Sequence, residues 1–248
     1  MEGLSPYLLV LALLVPANAL TQEQDQTSTI NIGLLLPDTS HAYVSWAAEQ
    51  AVLKANRSGG YQEREFKLVV RTAEGLWGAG SKESVALVYE DEVCAIVGSL
   101  DGRNAHLAEQ VAAKSHLAYI EAHATDPTLS QAFVPWFFRV VPNDEQQAKA
   151  LLELILENGG GKIGILSNDT YDARYAVQSL QKEAHRTIGY TPPVIDVNSL
   201  DRQPQKIIEE IRNHQSKHMI VPFDAPQLHD LLVSLSHQLP CVKIYGTL

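Results

Sequence analysis

The stretch that most constrains this chain runs from Val93 to Pro127. It opens with Val93-Cys94-Ala95-Ile96-Val97, an apolar run short enough and β-branched enough to be a strand buried on both faces of a parallel sheet. Gly98 and Ser99 end it. Asp101-Gly102-Arg103-Asn104 then turns the chain into a helix with Leu107, Val111 and Ala112 at helical spacing. A second run, Leu117 to Ile120, breaks in its turn into Glu121-Ala122-His123-Ala124-Thr125-Asp126-Pro127. Two strand-to-helix turns are thus expected side by side at the carboxyl edge of one sheet. Ligands of open α/β sheets bind at that edge, because helix amino termini present unpaired N–H groups and a positive dipole end there.

The same unit recurs. Ile30 to Leu36 reads as a strand, Pro37 to Ala42 as a turn of capping residues, and Tyr43 to Asn56 as a helix closed by Ser58-Gly59-Gly60. A strand at Phe66 to Arg71 and a helix at Ser81 to Glu92 complete a β-α-β-α-β-α-β alternation, the signature of a parallel sheet wrapped by helices. The aromatic segment Phe133 to Val141, closed by Pro142-Asn143-Asp144, is predicted as a strand that leaves one lobe for another. The pattern then restarts with a helix at Glu145 to Glu157, a strand at Lys162 to Leu166, a capping turn at Ser167 to Thr170 and a helix at Tyr171 to His185. Val194 to Val197, Gln203 to Asn213, His218 to Val221, Ala225 to Gln238 and Val242 to Tyr245 continue it. The expected fold is α/β, with two doubly wound parallel-sheet lobes, 30–141 and 142–248, and a ligand cleft between them.

The net charge of -10, with no basic stripe, argues against nucleic acid or an anionic membrane as partner. Tyr7 to Val15 is apolar but too short for an ordinary transmembrane helix, and Ala17-Asn18-Ala19 supplies a signal-peptidase pattern. Residues 1–19 are therefore read as a secretory signal peptide, which puts the protein in the periplasm or outside the cell. An uncleaved anchor is the competing reading, since Glu2 and no Lys or Arg precedes the apolar run. Residues 20–29, rich in Gln and Thr, read as a disordered leader. Cys94 and Cys241, each in or beside a predicted strand in different halves, are expected as two buried, unpaired thiols. No Cys/His spacing suits a metal.

INIGLLLP with a Tyr soon after, the strand AIVGSL, the turn EAHATDPTLSQ with FFRVVPND behind it, and the restart KIGILSNDTYD are together similar to the type I periplasmic binding proteins. The resemblance covers Ile30 to the carboxyl terminus and points to the branched-chain amino acid (Leu/Ile/Val) group of ABC-transporter substrate-binding proteins. It implies an exported component that holds an amino acid or amide-like ligand between its lobes and hands it to a membrane permease, with no cofactor and no catalysis. Position by position, Tyr43 matches the first-lobe Tyr, and Leu100, Asp101 and Gly102 match the loop whose N–H groups meet the ligand's carboxylate. His123 matches a position whose backbone carbonyl accepts from the ligand's ammonium, with Ala124 beside it, and Thr125 matches a Thr that touches both charged ends. Tyr171 matches the second-lobe Tyr, and Phe223 or Asp224 a further cleft residue. The family's loop usually carries a Ser where this chain has Asp101-Gly102-Arg103; Arg103 would grip a carboxylate and Asp101 repel one. The family also has later segments, including an acidic residue for the ammonium group, so the sequence is read as shortened after Leu248.

Competing roles stay open for several of these residues. Thr125 is equally suited to capping before Asp126-Pro127, and Tyr43 and Tyr171 to lying on the surface at helix starts. Trp46 and Trp136 are expected to pack. The chain holds no GxSxG elbow, Walker loop or HExxH, and Asp101 with Glu121 reads as caps or surface charges before it reads as a catalytic pair.

Overall fold

The computed structural model describes residues 29–75, 78–197, 204–223 and 228–247; the expected signal peptide, most of the leader and Asp224 lie outside them. The apolar runs become strands β1 (Ile30–Leu36), β2 (Phe66–Thr72), β3 (Ala95–Val97), β4 (Ala118–Glu121) and β5 (Phe137–Arg139). They form one parallel sheet in the order β2-β1-β3-β4-β5. Its crossovers are α1 (Ala42–Arg57), α2 (Ala79–Tyr89) and α3 (Gly102–Ser115), with a 3-10 helix, Pro127–Ala132, before β5. After α4 (Asp144–Glu157) a second parallel sheet, in the order β7-β6-β8-β9, contains β6 (Ile163–Ser167), β7 (Val194–Asp196), β8 (His218–Val221) and β9 (Lys243–Gly246). It is crossed by α5 (Tyr171–Ile188), α6 (Pro204–His214) and α7 (Leu228–Gln238). Strand order reverses between β1 and β3 and again between β6 and β8. Each lobe thus has a switch point, where neighbouring turns diverge and leave a crevice.

Short polar side chains start the helices where the sequence puts them. Asn143 and Gln146 form a reciprocal capping box on α4, Asp101 caps α3 and Thr170 caps α5. On α3, Ala105, Ala108 and Ala112 are fully buried against Leu35, Ile96 and Tyr119, and these small side chains let the helix lie close to the sheet. The second sheet is dry on both faces. α4 and α5 bring Leu152, Ile155 and Leu180 to one side, while α6 and α7 bring Ile207, Ile208, Ile211, Leu231 and Leu235 to the other.

The first sheet is covered unevenly. Val70, Leu34, Val97, Ile120 and Phe138 stand in register across its five strands, a continuous apolar row. α1 crosses on this face but contributes no buried residue, and Trp46, expected to pack, is 64% exposed. Two further expectations need correction. Cys94 and Cys241 are unpaired but exposed rather than buried. β3 begins only at Ala95, and Cys241 falls in the turn before β9, so neither side chain faces a core. The aromatic segment is not one long strand. Phe133, in the left-handed region and 88% exposed, ends the 3-10 helix, and only Phe137–Arg139 pairs, staying with the first sheet as its edge.

Gly98 ends β3 at φ +94°, and a Cβ there would stand 2.8 Å from the Leu35 carbonyl oxygen. Gly98→Ala should therefore destabilise the protein by about 2 kcal/mol in urea unfolding, by combining a left-handed conformation with a backbone clash. A loss below a few tenths would show that the turn relaxes.

Candidate functional site: the cleft between the lobes

The turn after β3 is built tightly. Gly98 is followed by Ser99, whose hydroxyl donates to the Asp101 carbonyl at 2.8 Å, and by Leu100, which holds φ +72° although it is not a glycine. Such a backbone persists only where its surroundings over-determine it, which is commonest at binding sites. The Asp101 carboxylate then accepts the Asn104 N–H at 2.9 Å and its side-chain amide at 2.9 Å. Asp101 is therefore the cap of α3.

The neighbouring turn, after β4, is organised by Glu121. Its side chain is fully buried. One oxygen accepts the N–H groups of His123 at 2.9 Å and Ala124 at 2.7 Å; the other accepts the Tyr119 hydroxyl at 2.5 Å and the Ser99 N–H at 3.3 Å. Arg139 stands opposite Glu121 in the β4–β5 register. Both ligand-edge turns of the first lobe thus hang on one carboxylate, which the sequence reading took for a cap or a surface charge.

Next to it lies a second buried acid. Asp126 accepts from Thr128 N–H at 2.8 Å and Thr128 hydroxyl at 2.7 Å, and holds His106 Nε2 at 3.0 Å. Burial pushes the Asp126 carboxyl up, but His106 and Thr128 outweigh it and hold the group below its usual value. Asp126 in turn, helped by Glu109 at 3.6 Å, raises the His106 imidazole to about 9 despite its partial burial.

The lobes meet over these turns. Tyr171, the first residue of α5, donates its hydroxyl to Asp126 Oδ2 at 3.1 Å, and the Arg103 guanidinium carbon lies 5.8 Å from the centre of its ring. Asp172, one residue on, accepts the Gly102 N–H at 2.8 Å. Burial raises the Asp172 carboxyl to about 6, with the Gly102 N–H opposing the rise, and burial likewise raises Asp144 to about 6.

Beside this contact a cavity of about 310 Å³ opens between the carboxyl edges of the two sheets. Leu100, His123, Ala124 and Thr125 line it from the first lobe; Asn168, Thr170, Asp172, Ala173, Ala176, Pro222, Phe223 and Thr247 line it from the second. Another depression of about 330 Å³, around Ser167, Arg174 and Asp196, belongs to the second lobe alone and gives lobe movement nothing to close upon. Among the described residues no group of three or more His, Cys, Asp or Glu side chains is placed to hold a metal.

Of the residues expected at the cleft, Leu100, His123, Ala124, Thr125 and Phe223 line the cavity. Asp101, Gly102, Arg103 and Tyr171 stand at its rim, engaged with one another or with the opposite lobe. Tyr43 does not reach it. Asp38 caps a 3-10 turn at Thr39–His41, α1 follows directly, and Tyr43 in its first turn is 67% exposed, its ring centre 6.0 Å from that of His41. Asn168, Thr170 and Asp172 were missed as lining residues. Their signal was present: a capping turn after an apolar strand places its hydroxyl, amide and first-turn acid at the ligand edge.

A family model described as the receptor family ligand binding region matches residues 44–239. The chain belongs to that family. Its curated relatives include glutamate receptor 3.7 of Arabidopsis thaliana, 28% identical over 198 residues that make up 77% of this chain and 21% of the receptor. Glutamate receptor 3.4 of the same plant is 26% identical over 58% of this chain and 15% of its own length. Among solved structures, an ABC transporter substrate-binding protein from Desulfitobacterium hafniense in complex with Leu superposes with a TM-score of 0.71 at 18% identity, covering 88% of this chain and 66% of that one. A solute-binding protein of an ABC transporter from R. palustris in complex with benzoate gives 0.75 at 16%, over 88% and 62%. These likenesses show the fold, that of the type I periplasmic binding proteins, as the sequence resemblance implied. This family member spans 21% and 15% of these two plant relatives and 66% and 62% of these two structural neighbours.

Proposed function

We propose that the chain is the exported solute-binding component of an ABC importer, closing lobes 30–141 and 142–248 over an amino acid or a similar small polar molecule and passing it to a membrane permease. The observation that carries this reading is the 310 Å³ cavity at the carboxyl edges of both sheets, lined from both lobes. Only a closed form touches a guest from two sides, so a guest stabilises that form. Leu100, His123, Ala124, Thr125 and Phe223 are the residues assigned to it, with Asn168, Thr170 and Asp172 added. The substrate-binding proteins that share the fold support the reading, and a binding role fits a family of receptors and binding proteins better than catalysis does. A second reading, the ligand-sensing region of a receptor, is favoured by the sequence matches to plant glutamate receptors.

The test is thermal denaturation with amino acids, aromatic acids, amides and amines. A guest at a hundred times its dissociation constant should add about 2.7 kcal/mol. No shift with any compound would remove the solute-binding reading. Adjacent permease and ATPase genes would support import; a kinase or cyclase partner would support sensing.

A further inference from the structure

The Leu and benzoate held by two structural neighbours share one group, a carboxylate. A carboxylate finds its natural seat at a helix amino end, and the first-lobe helix that ends at this cavity is α3. In this chain that end is already in use. The Asn104 N–H goes to the Asp101 side chain, the Ala105 N–H to the Asp101 carbonyl at 3.0 Å, and the Gly102 N–H crosses the lobe boundary to Asp172 Oδ1 at 2.8 Å. The fit is close. A Cβ on Gly102 would stand 2.6 Å from Asp172 Oδ1 and 3.0 Å from the Tyr171 ring.

Asp172 also lies in the first turn of α5, behind the Thr170 cap. Two positive helix ends therefore face each other across the cleft with one carboxylate between them. Asp172 is a lining residue of the cavity, and among the described residues Oδ2 receives no hydrogen bond. The lining holds no Lys or Arg, and its one basic ring, His123, has Nδ1 3.1 Å from the Leu100 carbonyl.

We propose that Asp172 is a tethered stand-in for a ligand carboxylate, so that the cavity accepts small molecules with an amine or amide head, which donate to Oδ2, and rejects free carboxylates. An anionic guest would have to displace Asp172 from the Gly102 N–H or sit beside it unpaired. This inference rests on the cleft-binding reading and narrows its ligand class from amino acids and similar small polar molecules to the amines and amides among them, leaving out free amino acids.

Matched probes test it: calorimetric titration of the whole chain with benzoate, benzamide and benzylamine, and with leucine, leucinamide and isopentylamine. The native protein should bind the best amine or amide of each set at least tenfold more tightly than the carboxylate. Asp172→Ala should reverse the order, with the carboxylate gaining at least tenfold. Asp172→Asn keeps the shape and removes the charge; it should weaken the amines without admitting the acids, and it guards against a folding defect in the alanine variant. Benzoate or leucine binding the native protein as tightly as its partners, or an unchanged order in Asp172→Ala, would overturn the proposal while leaving a small-molecule cleft in place. Binding of none of the six by any of the proteins would remove the proposal together with the reading beneath it.

Discussion

Glu121→Ala is expected to destabilise the protein by about 4 kcal/mol, the sum of several buried donors left without an acceptor at 1–3 kcal/mol each. The count follows from the geometry. The N–H groups of Ser99, His123 and Ala124 and the Tyr119 hydroxyl all end on this one carboxylate, whose side chain is fully buried. Arg139, opposite in the next strand, would keep its charge and lose a counter-charge, which adds to the loss. Glu121→Gln is the informative companion. It retains one acceptor but turns an NH₂ toward two donors, so about half the alanine effect is expected, roughly 2 kcal/mol. Chemical denaturation of the three proteins checks this. An alanine variant within 1 kcal/mol of the native protein would mean that the turns at 98–101 and 122–125 hold themselves.

The second large effect is a fall in stability as pH rises from 7 to 10. His106 has a folded-state pKa near 9 against 6.5 unfolded, because Asp126 and Glu109 favour its charged form. A raised pKa contributes stability that is complete below the unfolded value and disappears as pH climbs through the folded one. With the imidazole partly exposed, the loss over that window should be roughly 2 kcal/mol, somewhat less than the shift alone implies. The shifted acids act elsewhere. Asp144 and Asp172, both near 6, contribute stability when protonated and lose it as pH rises through 6, whereas Asp126, held low, loses its share only as pH falls toward its own depressed value. His106→Gln should flatten the curve between pH 7 and 10, as read by urea midpoints. A slope that survives this substitution would assign the effect to another group.

What the sequence disclosed, and what it hid, divides along a physical line. Apolar runs and capping residues act locally, so the α-helices and most strands were foreseen to within a few residues, whereas the 3-10 helix at Pro127–Ala132 and the shortness of β5 were not. Leu100, His123 and Thr125 were legible because a turn that follows an apolar strand has to lie at the sheet's carboxyl edge. Two other features depend on contacts that form only in the folded sheet and were not. Nothing near Glu121 announces that it sits fully buried with four donors, since Ser99 comes from another strand's turn and Tyr119, His123 and Ala124 converge on it only after the sheet has formed. Nothing near Asp172 announces Gly102, seventy residues earlier. Tyr43, expected at the cleft, is 67% exposed on the first turn of α1 and is not among the residues that line the cavity.

The cavity's walls are the turns that follow the strands and the first turns of α5, and that placement separates two jobs. In the cleft-binding reading, main-chain groups fixed by the cores beneath would set the general polarity of the seat, and the identity of the guest would rest on the few side chains that line it, such as Asp172, Thr125 and Phe223. A lineage on this scaffold can therefore change what it carries by altering the rim alone, while the layers that keep the two halves folded go on undisturbed.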